Sequence, residues 1–260
     1  MFEDELAFAN ELADEAGRIG SSLFGTDLDV RLKPDQTPVT EADEAIEAMI
    51  RERVAARFPT DAVLGEEGGR HGIGEGDRCW IVDPIDGTRN FADGIQVWGT
   101  LIAFAVADER VVGVVNAPAL GERYEAAKGS GARLNGRPIR VSSADRLSRS
   151  LVVYADVADW LGSPHESAFR EMVMEARRDR GFGDFWGHML VARGSADVML
   201  EPDLAIWDWA ALEVIVTEAG GRVTTFEGGP PVDKGSLVST NGVLHDEVVA
   251  RLRPVERPRY

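Results

Sequence analysis

Two carboxylates spaced three apart at the end of an apolar run are the first residues that can do chemistry. Trp80, Ile81 and Val82 form a short aromatic and β-branched run, which reads as the end of a buried strand. Asp83 then opens a polar turn, and Pro84 biases it toward extended geometry. Asp86 can point its carboxylate into the same space. Gly87 lets the backbone turn tightly, and Asp86 to Asn90 reads as a turn that opens a short helix. A strand end, two carboxylates and a helix N-terminus together suit a hard cation beside a phosphate. The carboxylate oxygens would hold the cation, and the N–H groups of Gly87 and Thr88 would face the anion. Taken alone, an Asp-x-x-Asp turn is more often simply solvated, so the rest of the chain decides.

Other acids stand at unusual places. Asp208 sits between Trp207 and Trp209 at the start of a largely apolar helix. A buried carboxylate is costly unless paired or bound to a cation, although the helix dipole also favours a first-turn acid. Glu66 and Glu67 lie between glycines, as an exposed turn or as a metal site at a strand end. Asp43 follows Thr40 by three residues and fits a capping box; helix starts also border clefts. Lys33 stands in a polar loop, either solvated or folded over an anion. No histidine or cysteine cluster accompanies Asp43, Glu66, Asp83, Asp86 and Asp208. That argues against zinc and for magnesium or manganese.

The elements that must position these residues follow from the patterning. Residues 3 to 24 carry helical spacing at Leu6, Ala9, Ala13, Ala16, Ile19 and Leu23, with Gly25 as the stop. A loop or irregular hairpin, with Pro34 in it, covers 26 to 37. A second helix starts at Thr40 and is ended by Pro59. Residues 62–64, 97–106, 110–116 and 122–126 read as strands, and 71–77 as a Gly-rich exposed turn containing a surface His71. The first half is thus two long helices with an antiparallel sheet. The polar stretch 142–150 separates an N-terminal α+β lobe (1–142) from a C-terminal α/β lobe (143–260). In the second lobe, 151–154, 196–200 and 237–240 read as strands. Residues 165–178, a segment ending near Gly194, 206–221 and 242–252 read as helices, the third of them buried.

Composition narrows the partners. The chain has 260 residues and 45 acidic against 28 basic side chains, for a net charge of −17. Such a charge disfavours nucleic acid and anionic membrane surfaces. Cys79 is the single cysteine, so no intrachain disulfide can form. The acidic start is no secretory or transit signal, and no apolar run reaches the roughly 18 residues of a membrane span. The expected location is cytoplasmic.

Together, Gly65-Glu66-Glu67, Asp83-Pro84-Ile85-Asp86-Gly87-Thr88, Trp207-Asp208 and Glu218-Ala219-Gly220-Gly221 resemble, in order and across most of the chain, the signature of the inositol monophosphatase family. That family is a branch of the larger group that includes fructose-1,6-bisphosphatases. The resemblance implies a layered α-β-α-β-α fold, Mg²⁺-dependent hydrolysis of a small phosphate monoester and, commonly, lithium inhibition and a homodimer. It implies that Glu66, Asp83 and the Ile85 carbonyl hold a first metal. Asp83, Asp86 and Asp208 would hold a second, and a third, weaker ion would sit near Glu66, with Mn²⁺ as a substitute. Asp43 and Thr88 match the pair that orients the attacking water, the Gly87 and Thr88 amides the phosphate site, and Lys33 a loop lysine near the site.

Substrate choice should lie around residues 182–188 and Glu201. Gly183-Asp184-Phe185-Trp186 is more similar to the histidinol-phosphatase branch than to the inositol branch. Asp184 and Glu201 could pair with an amine, and Phe185 or Trp186 could offer an aromatic face; the alternatives are core packing for the aromatics and helix capping for Asp184. His188 falls on the following helix as a structural residue. An inositol-phosphate or promiscuous sugar or nucleotide phosphatase is the second reading, since Glu201 also serves a polyol. A metal-binding regulatory protein without catalysis is a third, opposed by intact Asp43 and Thr88.

Overall fold

The structure, a computed structural model, describes residues 2–33, 37–74 and 77–253. Pro34, expected in the first loop, and residues 75–76 of the Gly-rich turn lie outside the described residues. Helix α1 (Glu3–Leu23) is followed by a hairpin of β1 (Arg31–Leu32) and β2 (Pro38–Val39), and then by α2 (Glu41–Arg57). An eight-stranded sheet comprises β3 (Ala62–Gly65), β4 (Gly69–His71), β5 (Arg78–Asp86), β6 (Gly99–Val106), β7 (Glu109–Ala117), β8 (Glu122–Ala127), β9 (Ala132–Leu134) and β10 (Arg137–Pro138). The one-and-a-half-turn α3 (Thr88–Ala92) interrupts it after β5. The sheet is not wholly antiparallel as expected: β3 runs parallel to β5.

A second, five-stranded sheet comprises β11 (Leu151–Tyr154), β12 (Arg178–Gly181), β13 (Val198–Leu204), β14 (Arg222–Thr224) and β15 (Gly235–Thr240). Its helices are α4 (Glu166–Glu175), α5 (Asp184–Ala192), α6 (Ile206–Glu218) and α7 (His245–Leu252). Strands β12 and β14 have no counterpart in the sequence reading. Both are short, and β12 (Arg-Asp-Arg-Gly) has no apolar residue to mark it.

Period-two alternation builds the layers. On β5, Trp80 and Val82 face the core under α1 and α2, whereas Cys79 and Ile81 face a middle core. On β13, Met199 faces that same middle core from the other side, and Val198 and Leu200 face the core under α4 and α7. Helices α5 and α6 fill the middle layer. The order is α-β-α-β-α, as expected. Helix α6 is apolar all round because sheets cover it on two sides. The middle core draws on residues from both sides of residue 142. Among the described residues, no helix is long and apolar enough to cross a membrane.

Candidate active site

Strand β5 does not end at Val82; it continues through both aspartates to Asp86. Its register with β6 holds as far as Asp83 opposite Leu101, and Asp86 then lies opposite Gly99. Three residues of β5 therefore span two of β6. Residues three apart in a regular strand face opposite sides of the sheet. The one-residue bulge turns Asp83 and Asp86 to the same side. Pro84 suits a bulge because it has no N–H to leave unpaired, and its carbonyl accepts the Thr100 hydroxyl at 2.9 Å. Gly87 makes the exit at φ +80°, where a Cβ would lie 2.9 Å from the Val97 carbonyl oxygen.

The remaining acids arrive from separate elements. Asp208 is in the first turn of α6 and accepts the Ala205 N–H at 2.7 Å. Oxygens of Asp83, Asp86 and Asp208 lie within 4.8 Å of one another. Glu66 follows β3, so the parallel β3–β5 pair delivers Glu66 and Asp83 side by side; the Glu66 N–H donates to the Val82 carbonyl at 3.2 Å. Asp43 does form the capping box, its Oδ2 accepting the Thr40 N–H at 2.8 Å and the Thr40 hydroxyl at 2.5 Å. Its Oδ1 is left facing the Thr88 hydroxyl at 3.4 Å. That hydroxyl donates to the Ile85 carbonyl at 2.9 Å, and the carbonyl retains a second lone pair.

Lys33 is folded over two carboxylates. Its Nζ bonds Glu66 at 2.7 Å and Glu67 at 2.6 Å. Sequence reasoning missed Glu47, which looks like an ordinary helix-surface acid with Arg51 four residues on. It is 4 % exposed, and its carboxylate accepts the backbone N–H groups of Glu67 at 2.8 Å and Gly68 at 2.7 Å. Arg51 bonds both Glu47 and the Gly69 carbonyl. A Cβ at Gly65 would collide with the Glu47 carboxylate. Glu47 thus fixes the turn that presents Glu66, and the glycine next to Glu66 is the sequence signal for it.

Burial and mutual repulsion dominate the electrostatics. Burial first, then the charges of Glu66, Asp86 and Asp208, push Asp83 well above the carboxylate range. Burial and then Asp184 and Asp208 do the same to Asp86. Burial and then Glu66 raise Asp208 to about 8, and burial raises Asp43 to about 6. Asp83 Oδ1 is buried with no hydrogen-bond partner. A divalent cation fits these observations: it would satisfy that orphan oxygen and neutralise the repulsion. An all-oxygen donor set suits Mg²⁺ or Mn²⁺.

A second acidic group adjoins the first. Asp184, at φ 55°, takes Asn90 Nδ2 at 3.1 Å, and no side-chain cap is made at this helix start. Glu201 precedes Pro202 at another register slip, between Glu201 and Leu204, and so repeats the acid-proline bulge of β5. Burial, followed by Glu201, raises Asp184 to about 7; burial raises Glu201 to about 8. Phe185 is 1 % exposed and packed in the middle core, so it offers no aromatic face to a ligand. Its contribution is a backbone N–H that donates to Asp86 at 2.6 Å. Trp186 is half-buried, donates to Glu122 at 3.2 Å and stacks edge-on with Phe182.

These shifts set a sign for pH dependence. An acid whose pKa is higher folded than unfolded gives the folded state more bound protons, so its stabilising effect is lost as pH rises through the folded value. The metal-free protein should melt at least roughly 5 °C lower near pH 8.5 than near pH 5, and a divalent metal should reverse the loss. Thermal melts in chelator, with and without Mg²⁺, check this; a metal-free melting temperature that rises with pH contradicts it. Glu47→Gln keeps the side chain's size but loses an acceptor, and should weaken Mn²⁺ binding about 10-fold or more in an electron paramagnetic resonance titration. Unaltered affinity would separate Glu47 from the metal loop.

The chain is similar to known proteins over nearly its whole length. The pattern of the Inositol monophosphatase family matches residues 2–257. A "Histidinol-phosphatase" of Streptomyces coelicolor is 43 % identical, over 96 % of this chain and 97 % of the relative. One of Mycobacterium tuberculosis is also 43 % identical, over 97 % and 99 %. Among solved structures, an "IMPase" of Thermotoga maritima superposes with a TM-score of 0.87 at 34 % identity, covering 96 % of each chain. With the acidic constellation in the expected fold and a match this extensive, the chain belongs to the inositol monophosphatase family.

Proposed function

We propose that this protein is a metal-dependent phosphate monoester hydrolase whose substrate is histidinol phosphate. The observation that carries the substrate is the pair of half-buried Asp184 and buried Glu201 beside the acids that would bind metal. Metal ions would account for Asp83, Asp86, Asp208 and Glu66, and Asp184 and Glu201, whose charges also act on Asp86, are left over. A substrate ammonium would offset their charge, and a neutral polyol would not. The names of the relatives at 43 % identity support the same choice.

Two or three Mg²⁺ ions, with Mn²⁺ as a substitute, would be held by Glu66, Asp83, the Ile85 carbonyl, Asp86 and Asp208; such ions lower the pKa of water and stabilise a leaving oxygen. The chain's own groups do the rest. The capping bonds of Thr40 lock Asp43, leaving Oδ1 to receive the Thr88 hydroxyl proton once that hydroxyl turns from the Ile85 carbonyl. Thr88 Oγ1 takes a proton from the attacking water as the water oxygen bonds phosphorus; the ester P–O bond breaks, and the leaving alkoxide takes a proton from solvent water. The Gly87 and Thr88 amides, at the start of α3, bind the phosphate oxygens. Lys33 stays with Glu67 and adds positive charge near the substrate's dianion. Trp186 walls the leaving-group side. Location in the cytoplasm and a homodimer belong to the same reading; light scattering of the purified protein tests the dimer.

Phosphate release from histidinol phosphate and from inositol 1-phosphate, measured side by side in Mg²⁺, is the test. The expected preference in kcat/KM is at least about 100-fold, the weight of a buried charge pair left without its partner. Equal rates, or a preference for inositol 1-phosphate, would overturn the substrate and leave the phosphatase standing. Asp184→Asn and Glu201→Gln should each raise KM for histidinol phosphate about 10-fold.

A further inference from the structure

We propose that His188 is a positioning residue for substrate selection: it holds the Glu201 carboxylate in the orientation that receives the substrate ammonium. This rests on the reading of Asp184 and Glu201 given above and extends it to a residue that touches no ligand.

His188 is fully buried on α5, in the layer between the two sheets. Its Nε2 lies 3.0 Å from Glu201 Oε2 on β13, and its Nδ1 lies 2.7 Å from the Ser239 hydroxyl on β15. One ring therefore ties a helix to two antiparallel strands. The approach is forced: a Cβ at Gly187 would collide with the Met199 sulfur on β13, so α5 sits closer to that strand than a larger residue would permit. Glu201 has one other bond, a long one from the Asp184 N–H at 3.4 Å. The imidazole is its principal anchor.

The chemistry sets the tautomer. Burial holds the ring neutral, with its pKa pushed down to about 3. With a ligand ammonium beside it Glu201 is ionised and only accepts, so Nε2 then carries the hydrogen and donates it, and Nδ1 accepts from the Ser239 hydroxyl. A neutral donor orients the carboxylate without cancelling its charge. A bound ligand cation, which favours the ionised form against burial, thus meets an undivided negative charge on Glu201. A lysine or arginine at 188 would satisfy Glu201 and consume it. The second carboxylate oxygen, Oε1, is turned toward Asp184.

The test uses two esters, histidinol phosphate and 3-(imidazol-4-yl)propyl phosphate, which is the same ester without its amine. The selectivity ratio is kcat/KM for the first over kcat/KM for the second. The wild-type ratio should be large, and His188→Leu should lower it about 10-fold through KM for the amine ester. His188→Gln, which retains an N–H donor, should restore part of the loss. Ser239→Ala, a milder change that keeps the ring, should lower the ratio several-fold, and it serves if His188→Leu does not fold. A large wild-type ratio that both variants leave intact, or rates for both esters that fall together, would overturn the role of His188 alone. A wild-type ratio near one would overturn the ammonium reading and this inference with it.

Discussion

The site depends on carboxylates being held closer together than their charges allow. Asp83, Asp86 and Asp208 come from a strand and a helix start, and each is fixed by backbone geometry rather than by a counter-charge of the protein. Asp83 sits in the register slip of β5, and Asp86 is held by the Phe185 N–H. Asp208 is held by the Ala205 N–H. Lys33 binds Glu66 and Glu67 rather than the aspartates. Repulsion of this kind costs several kcal/mol when the charges are buried. The surrounding fold must be rigid enough to sustain it until a metal offsets it.

The rigidity comes from the layers. Trp80 and Val82 anchor β5 on one face and Ile81 on the other, so the bulge cannot relax by sliding the strand. Both middle helices reach the site by their first turns: α6 brings Asp208, and α5 brings the Phe185 N–H to Asp86 and, a turn further on, His188 to Glu201. Two acid-proline bulges, at Asp83-Pro84 and Glu201-Pro202, do similar work in the two sheets. One turns Asp83 and Asp86 to the same side, and the other accompanies Glu201.

The acidic cluster around β5 was legible in the sequence because its signal is local. Asp83, Asp86, Gly87 and Thr88 are neighbours in the chain, and Thr40 with Asp43 obeys a capping rule that needs no tertiary partner. Length and alternation likewise reveal the long helices and the central strands. What stayed hidden depends on partners distant in sequence. Glu47 looks like half of an i,i+4 surface pair until β3 closes over it. The continuation of β5 through Asp86 needs β6 beside it. Phe185 resembles a ligand-facing aromatic in a Gly-rich segment, yet α5 begins one residue earlier and turns the ring into the core. Strands β12 and β14 are polar or short and exist because β11 and β15 offer them an edge.

Calorimetric titration of the metal-free protein with Mg²⁺ at neutral pH, in two buffers of different ionisation enthalpy, tests the central claim most directly. Carboxylates raised by burial and by one another must shed protons to bind a metal. The prediction is net proton release on binding, with about one proton or more per protein, and a much smaller release in Asp83→Asn, which also binds weakly. Tight binding without proton release, or binding that Asp83→Asn leaves intact, would contradict the account of a strained acidic cluster completed by a cation.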